Sequence, residues 1–215
     1  MVELEERAEK ILKNLEHEYP DAHYYLNFSS PLELLVAAIL SAQCRDEVVN
    51  ATTEKLFAKY KIAEDYSKVP LEKLERDIAR IPFYRHKAKN IQEACQILVE
   101  RYGGEVPRTV EELIELPGIG RKTANVILIN AFDQVEGIVV DTHVARLARR
   151  LGLSENKDPD RIERDLMMIV PRSGWKRLPW LFKAHGRAVC TAKRPKCAEC
   201  ILNGLCPKVG VRDGT

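Results

Sequence analysis

An all-α fold is predicted by three features of the sequence. Apolar residues recur at helical spacing along most of the 215 residues, strict apolar/polar alternation is almost absent, and Pro and Gly stand in several of the gaps between periodic segments. At the start, Val2, Leu4, Ala8, Ile11, Leu12 and Leu15 form one stripe, with carboxylates and lysines elsewhere. Ser30-Pro31-Leu32-Glu33 then supplies an N-cap hydroxyl, a proline at the first helical position and a carboxylate at the third. The helix it opens, from Leu34 to Leu40, is apolar nearly all round and belongs in the middle of a bundle. Further amphipathic segments are expected at 47–60, 70–80, 86–102, 110–116, 121–132, 142–151 and 159–169. The β-branched trio Ile138-Val139-Val140 is the best strand signal and is too short to make a sheet.

A chain of this length can bury a sizeable core, as one large domain or two lobes. Hydrophobic residues at 45% and charged residues at 31% set it apart from disordered and membrane proteins. The apolar run Leu34 to Leu40 is too short to span a bilayer. Glu3, Glu5, Glu6 and Glu9 leave the start without the basic end and apolar centre of a secretory signal, so a cytoplasmic address is expected. Four of the six cysteines, Cys190, Cys197, Cys200 and Cys206, fall in the last 26 residues, whereas Cys44 and Cys95 stand alone. In a reducing compartment such clustering points to a metal site over disulfides. The net charge of +2 is unevenly spread, with −7 over residues 1–142 and +9 over 143–215. A basic final third suits a polyanionic partner.

The most informative stretch runs Leu116-Pro117-Gly118-Ile119-Gly120-Arg121-Lys122-Thr123-Ala124. Thr109 and Glu112 have capping-box spacing before it, and Ala124 to Leu128 continues helically after it. Two helices are therefore joined by a tight Pro-Gly-Ile-Gly turn. Glycine at both positions permits positive φ and close approach of the backbone to another molecule. The amide groups that begin the second helix sit at the positive end of its dipole, which suits a phosphate. This is a helix-hairpin-helix pattern, which fixes a protein on the DNA backbone without reading sequence. An unliganded turn between helices with a Gly C-cap is the other reading of two glycines, and the ordered series Pro, Gly, apolar, Gly, basic disfavours it.

That run, together with Leu40-Ser41-Ala42-Gln43, Val140-Asp141-Thr142-His143 and the cysteine pattern, resembles the endonuclease III family of helix-hairpin-helix DNA glycosylases, in the same order over nearly the whole chain. The resemblance implies a two-lobed all-α glycosylase fold with a cleft between the lobes. Residues 24–134 would form a helical bundle containing the hairpin, and residues 1–23 with 135–215 an iron-sulfur cluster domain. The implied activity is base-excision repair by a bifunctional DNA N-glycosylase and abasic-site lyase, directed at damaged, chiefly oxidised, pyrimidines. Its expected partner is double-stranded DNA holding damaged bases or abasic sites. A monomer in the cytoplasm, on the nucleoid of a prokaryote, is the corresponding expectation.

Such an enzyme breaks the bond between a base and C1′, and an amine can displace the base and hold the sugar as a Schiff base. Only a neutral amine can do so. With a free-amine pKa of about 10.4, roughly one lysine in 2,500 is uncharged at pH 7, a penalty of about 4.6 kcal/mol. Lys122 in the first turn of a helix, beside Arg121, is placed where positive potential disfavours the ammonium form. A carboxylate is then needed to accept a proton and to stabilise positive character on the sugar. By resemblance Lys122 matches the family's attacking lysine and Asp141 its catalytic aspartate. Taken alone, Lys122 could be an exposed helix lysine, and Asp141 an N-cap for the helix holding Val144 and Leu147. His143, on the same first turn, is a further candidate for DNA contact.

Chemistry at C1′ requires the nucleotide to leave the stack, and side chains can fill the gap. The resemblance places Gln43 there, together with an apolar residue of Ile81-Pro82-Phe83-Tyr84. Phe83 stands where a smaller aliphatic residue would be expected, and Phe83 and Tyr84 could equally pack in the core. The cysteines read C-x6-C-x2-C-x5-C. Their spacing alone suits either zinc or a cubane cluster; the resemblance selects a 4Fe-4S cluster. Lys193, Arg194 and Lys196, between the first two cysteines, would form a basic loop shaped by the cluster for phosphate contact. A mismatch-specific uracil, thymine or adenine glycosylase on the same scaffold is the nearest alternative, and a non-catalytic iron-sulfur DNA-binding module the second. Lys122, and a chain that ends soon after Cys206, favour the pyrimidine-directed lyase over the first, and the pairing of Lys122 with Asp141 opposes the second.

Overall fold

Every regular element in the computed structural model, which describes residues 2–211, is helical, with no strand among the described residues. Residues 24–134 cluster as one compact unit, and 1–23 with 135–215 as another. The first of these is built around α2, Pro31–Ser41. Leu32 and all seven residues from Leu34 to Leu40 are buried, because α2 is covered by α3 (Asp46–Lys59), α6 (Tyr84–Tyr102) and α8 (Arg121–Ala131). Each of its fully buried leucine, valine and isoleucine side chains contributes roughly 1.5–3 kcal/mol through removal from water.

The start of α2 departs slightly from a capping box. Ser30 Oγ accepts the Glu33 amide at 3.2 Å as expected, but the Glu33 carboxylate reaches one residue further back, to the Ser29 amide at 2.6 Å and hydroxyl at 2.7 Å. Thr109 likewise accepts the Glu112 amide at 3.3 Å, while its hydroxyl donates to the Glu112 carboxylate at 2.6 Å. The helix it caps, α7, is shorter than expected, Val110–Leu113. A short helix not anticipated from the sequence, α4 at Ala63–Lys68, buries only Ala63 and Tyr66, too few positions to give a periodic signal. It is started by the Asp65 carboxylate, which accepts the Lys61 amide at 2.7 Å and the Ile62 amide at 3.2 Å. The helix α5, Leu71–Asp77, packs on α6.

The second unit is assembled from both ends of the chain. Here α1 (Val2–Glu18) packs on α10 (Pro159–Ile169) and α11 (Leu178–Ala188), while α9 (Thr142–Arg150) packs on α10 and α11. The stripe on α1 buries Ala8, Ile11, Leu12 and Leu15 as expected, but leaves Val2 exposed. Sequence reading passed over α11, whose Pro179 resembles a helix breaker. Proline is tolerated there because the first turn has no intrahelical donor to lose; Leu178, Leu181, Phe182 and His185 then follow at helical spacing and are buried. Ile138-Val139-Val140 forms neither helix nor strand, with Ile138 and Val140 buried in this unit's core. No helix of the described residues is long and apolar enough to cross a membrane.

Candidate functional site

The hairpin follows α7. Ile119 donates its amide to Leu116 O at 3.1 Å, closing the turn, and its side chain is buried in the core of residues 24–134. Ile119 is thus an anchor for the hairpin more than a surface group. Of the two glycines only Gly118 takes positive φ, +83°; Gly120 is the N-cap of α8, in the extended conformation that N-caps adopt. A Cβ on Gly118 would lie 2.9 Å from Asn90 Nδ2 on α6, whereas the space at Gly120 is open. Gly120 has no capping side chain to give the first turn of α8, and Arg121 and Lys122 are exposed there with Thr123 half-buried. Open backbone at a helix N-terminus is the arrangement that accepts a phosphate.

Asp141 heads α9 in the other unit. Its Oδ1 accepts the amides of His143 and Val144, each at 2.8 Å, which makes it the N-cap. Both of these bonds use the same oxygen. His143 Nδ1 lies 3.1 Å from Arg146 Nη2. A guanidinium can only donate, so Nδ1 accepts and Nε2 carries the proton. Burial holds His143 below the usual histidine pKa, opposed by Asp141 and assisted by the cations Arg146, Lys183 and Arg187. His143 is therefore a neutral donor. Gly186 on α11 makes room for this pair, since a Cβ there would meet Arg146 Nη2 at 2.7 Å and His143 Nδ1 at 2.8 Å.

Gln43 and Phe83 both project from left-handed backbone, at φ 52° and 58°, and both are exposed, Phe83 at 66%. Core packing of Phe83 is excluded by that exposure, while Tyr84 packs partly against the core. The lysine one turn after Phe83, Lys87, is 5% exposed and was not singled out by the sequence. A lysine at a core-facing position of α6 was the available signal.

Cys190, Cys197, Cys200 and Cys206 are unpaired, half-buried and line a single cavity with Leu147 and Leu202. Among the described residues no three His, Cys, Asp or Glu side chains are grouped to hold one metal ion; the thiols instead border a common space, as a polynuclear group requires. Donors are aimed at the sulfurs. Arg150 Nη1 is 3.3 Å from Cys190 Sγ, and the Lys208 amide is 3.3 Å from Cys206 Sγ. His185 Nε2 lies 3.4 Å from Cys200 Sγ, and its Nδ1 meets the Tyr19 hydroxyl at 3.1 Å. Burial, and then the neighbouring thiols, push Cys200 and Cys206 up from the ordinary thiol pKa, against the backbone amides that favour thiolate. Four thiols bordering one cavity, with N–H donors beside two of the sulfurs, are a donor set that fits an iron-sulfur cluster.

Two arginines that sequence reading counted only as net charge turn out to build this loop. Arg146 Nε donates to Cys190 O at 3.2 Å and its Nη2 to Gly186 O at 3.0 Å. Arg150 donates to Thr191 O at 2.7 Å and to Ala192 O at 2.9 Å. Part of the basic excess is thus structural. Lys193, Arg194 and Lys196 are exposed on the loop that these bonds shape.

Residues 36–172 match the HhH-GPD superfamily of base excision DNA repair proteins, and residues 190–206 match the iron-sulfur binding domain of endonuclease III. Endonuclease III of Synechocystis sp. is 49% identical over 207 residues, covering 96% of this chain and 94% of that protein. Endonuclease III of Bacillus subtilis is 50% identical over 196 residues, covering 91% and 89%. Among solved structures, a trapped endonuclease III-DNA covalent intermediate in an estranged-adenine complex matches with a TM-score of 0.88 at 44% identity, covering 95% of this chain and 96% of that one. The four clustered cysteines and the hairpin lie within the matched segments. The chain belongs to the endonuclease III family of base excision DNA repair enzymes, DNA glycosylases and abasic-site lyases with a 4Fe-4S cofactor.

Proposed function

We propose that Lys122 is the nucleophile and Asp141 its carboxylate partner in the removal of oxidised pyrimidines from double-stranded DNA. The carrying observation is a lysine on the exposed first turn of α8, directly after the hairpin, together with an aspartate whose two bonds to its own helix both use one oxygen. The relative solved as a trapped covalent intermediate with DNA supports a covalent route. The amine lone pair of Lys122 forms a bond to C1′ as the bond from C1′ to the base breaks, and the base leaves with the electron pair and takes a proton. Asp141 accepts the proton lost by the nitrogen and stabilises positive character on the sugar. The nitrogen lone pair then expels O4′, which keeps the electron pair of the C1′–O4′ bond and takes a proton, leaving a Schiff base. Loss of a C2′ proton expels the 3′ phosphate with its electron pair, and water releases the amine.

The remaining residues bind. Gly118, Gly120, Arg121 and Thr123, on the turn closed by Ile119, hold backbone phosphates, as do Lys193, Arg194 and Lys196. His143 offers its Nε2–H as a neutral donor, and Gln43 and Phe83 fill the gap left by the extruded nucleotide. Cys190, Cys197, Cys200 and Cys206 hold the 4Fe-4S cluster, which cross-links the loop that carries the basic side chains. The enzyme acts as a monomer on one damaged site, in the cytoplasm.

A panel of single-lesion duplexes tests the substrate class. Thymine glycol is expected to be released and the strand cut, with uracil or thymine opposite guanine, and adenine opposite 8-oxoguanine, processed far more slowly. Release of a mismatched thymine or adenine with thymine glycol left intact would overturn the reading in favour of a mismatch enzyme.

A further inference from the structure

Lys87 is the buried lysine of the described residues, and the chemistry above does not use it. Its Nζ donates to Leu40 O at 2.8 Å and to Ala42 O at 2.6 Å. These carbonyls lie at the C-terminal end of α2, where intrahelical donors run out and the dipole is negative, so an ammonium satisfies both demands. Nitrogen committed to two carbonyls acts as a donor and not as a nucleophile. The next residue after Ala42 is Gln43. On its own helix, the Lys87 amide donates to Phe83 O at 3.1 Å. The Lys87 side chain thus bonds to the backbone directly before Gln43, whereas the amide bond to Phe83 O would be made by any residue at 87 that has an N–H; left-handed non-glycine residues persist only where their surroundings hold them.

We infer that Lys87 is a positioning residue: its ammonium ties the exit of α2 to α6, the helix that Phe83 N-caps, and so fixes where Gln43 sits relative to Phe83 for entering the DNA stack. This rests on the gap-filling role proposed for those two residues. Removing the tie would leave the chemistry at C1′ intact and impair only the step that opens the duplex.

The test compares wild type with Lys87→Gln, which keeps a donor but loses the cation, and Lys87→Met, which keeps the shape and loses both. In DNA-free holoenzyme, amide exchange over residues 42–45, after the two carbonyls that lose their donor, is expected to quicken about ten-fold or more in the Met variant, with Gln intermediate. Single-turnover release of thymine glycol from a duplex should fall about 10- to 100-fold, along with the fluorescence rise of 2-aminopurine opposite the lesion. Cleavage of a single-stranded abasic oligonucleotide, which has no stack to open, should stay within two-fold or so of wild type. If the Met variant does not fold, the Gln variant carries the same comparison. Unchanged exchange overturns the inference, and so does an equal loss on duplex and single strand, which would mark a merely structural residue. Gln43→Ala with Phe83→Ala tests the underlying reading separately: if duplex opening survives that pair while exchange in the Lys87 variants still quickens, gap filling fails and the tie stands.

Discussion

Replacing Lys122 with glutamine is expected to abolish the borohydride-reducible adduct with abasic DNA and to slow both base release and strand cleavage about a thousand-fold or more, equivalent to about 4 kcal/mol of barrier. Glutamine keeps the length and helix compatibility of lysine and removes the amine. Lys122 is exposed on the first turn of α8, so the melting temperature should stay within a few degrees of wild type and the iron-sulfur absorbance should match it. DNA affinity should change by only a few-fold, because the hairpin backbone and Arg121 remain. A folded Lys122→Gln protein that still traps abasic DNA at the wild-type rate would remove the nucleophile assignment.

The carboxylate role proposed for Asp141 is separable from the cap it makes, and two substitutions divide them. Asparagine is as good an N-cap as aspartate, so Asp141→Asn should retain the bonds to the His143 and Val144 amides and wild-type stability. Alanine loses the cap, at a cost of about 1 kcal/mol in urea unfolding. Both remove the carboxylate, so both should slow single-turnover base release by about 10²- to 10⁴-fold. Were Asp141 only a cap, the asparagine enzyme would work normally and the alanine enzyme would be merely less stable. The comparison of the two rates therefore separates chemistry from helix stability.

The helical class was legible because core-facing residues repeat at helical spacing over long segments, as on α1, α2 and α6. What escaped notice had physical causes. In α4 a single carboxylate, Asp65, nucleates a helix with only two buried residues, and Pro179 masks the start of α11. The hairpin was legible in outline, but not the difference between its glycines: one must be left-handed beside Asn90, and the other needs only to be bare. Cysteine spacing gave a candidate metal loop without its supports. Arg146 and Arg150 are drawn from another helix, and a sequence records their charge but not that it is spent on carbonyls near Cys190. Lys87 was hidden for the same reason, since its two carbonyl partners lie 45 and 47 residues away along the chain.

The most direct measurement is peptide mapping of the species trapped by borohydride between the wild-type protein and DNA containing thymine glycol. Reduction converts the Schiff base to a stable amine, so fragmentation locates the sugar remnant on one side chain. The remnant should reside on Lys122 alone. A remnant on any other lysine, or on the N-terminal amine, would contradict the account.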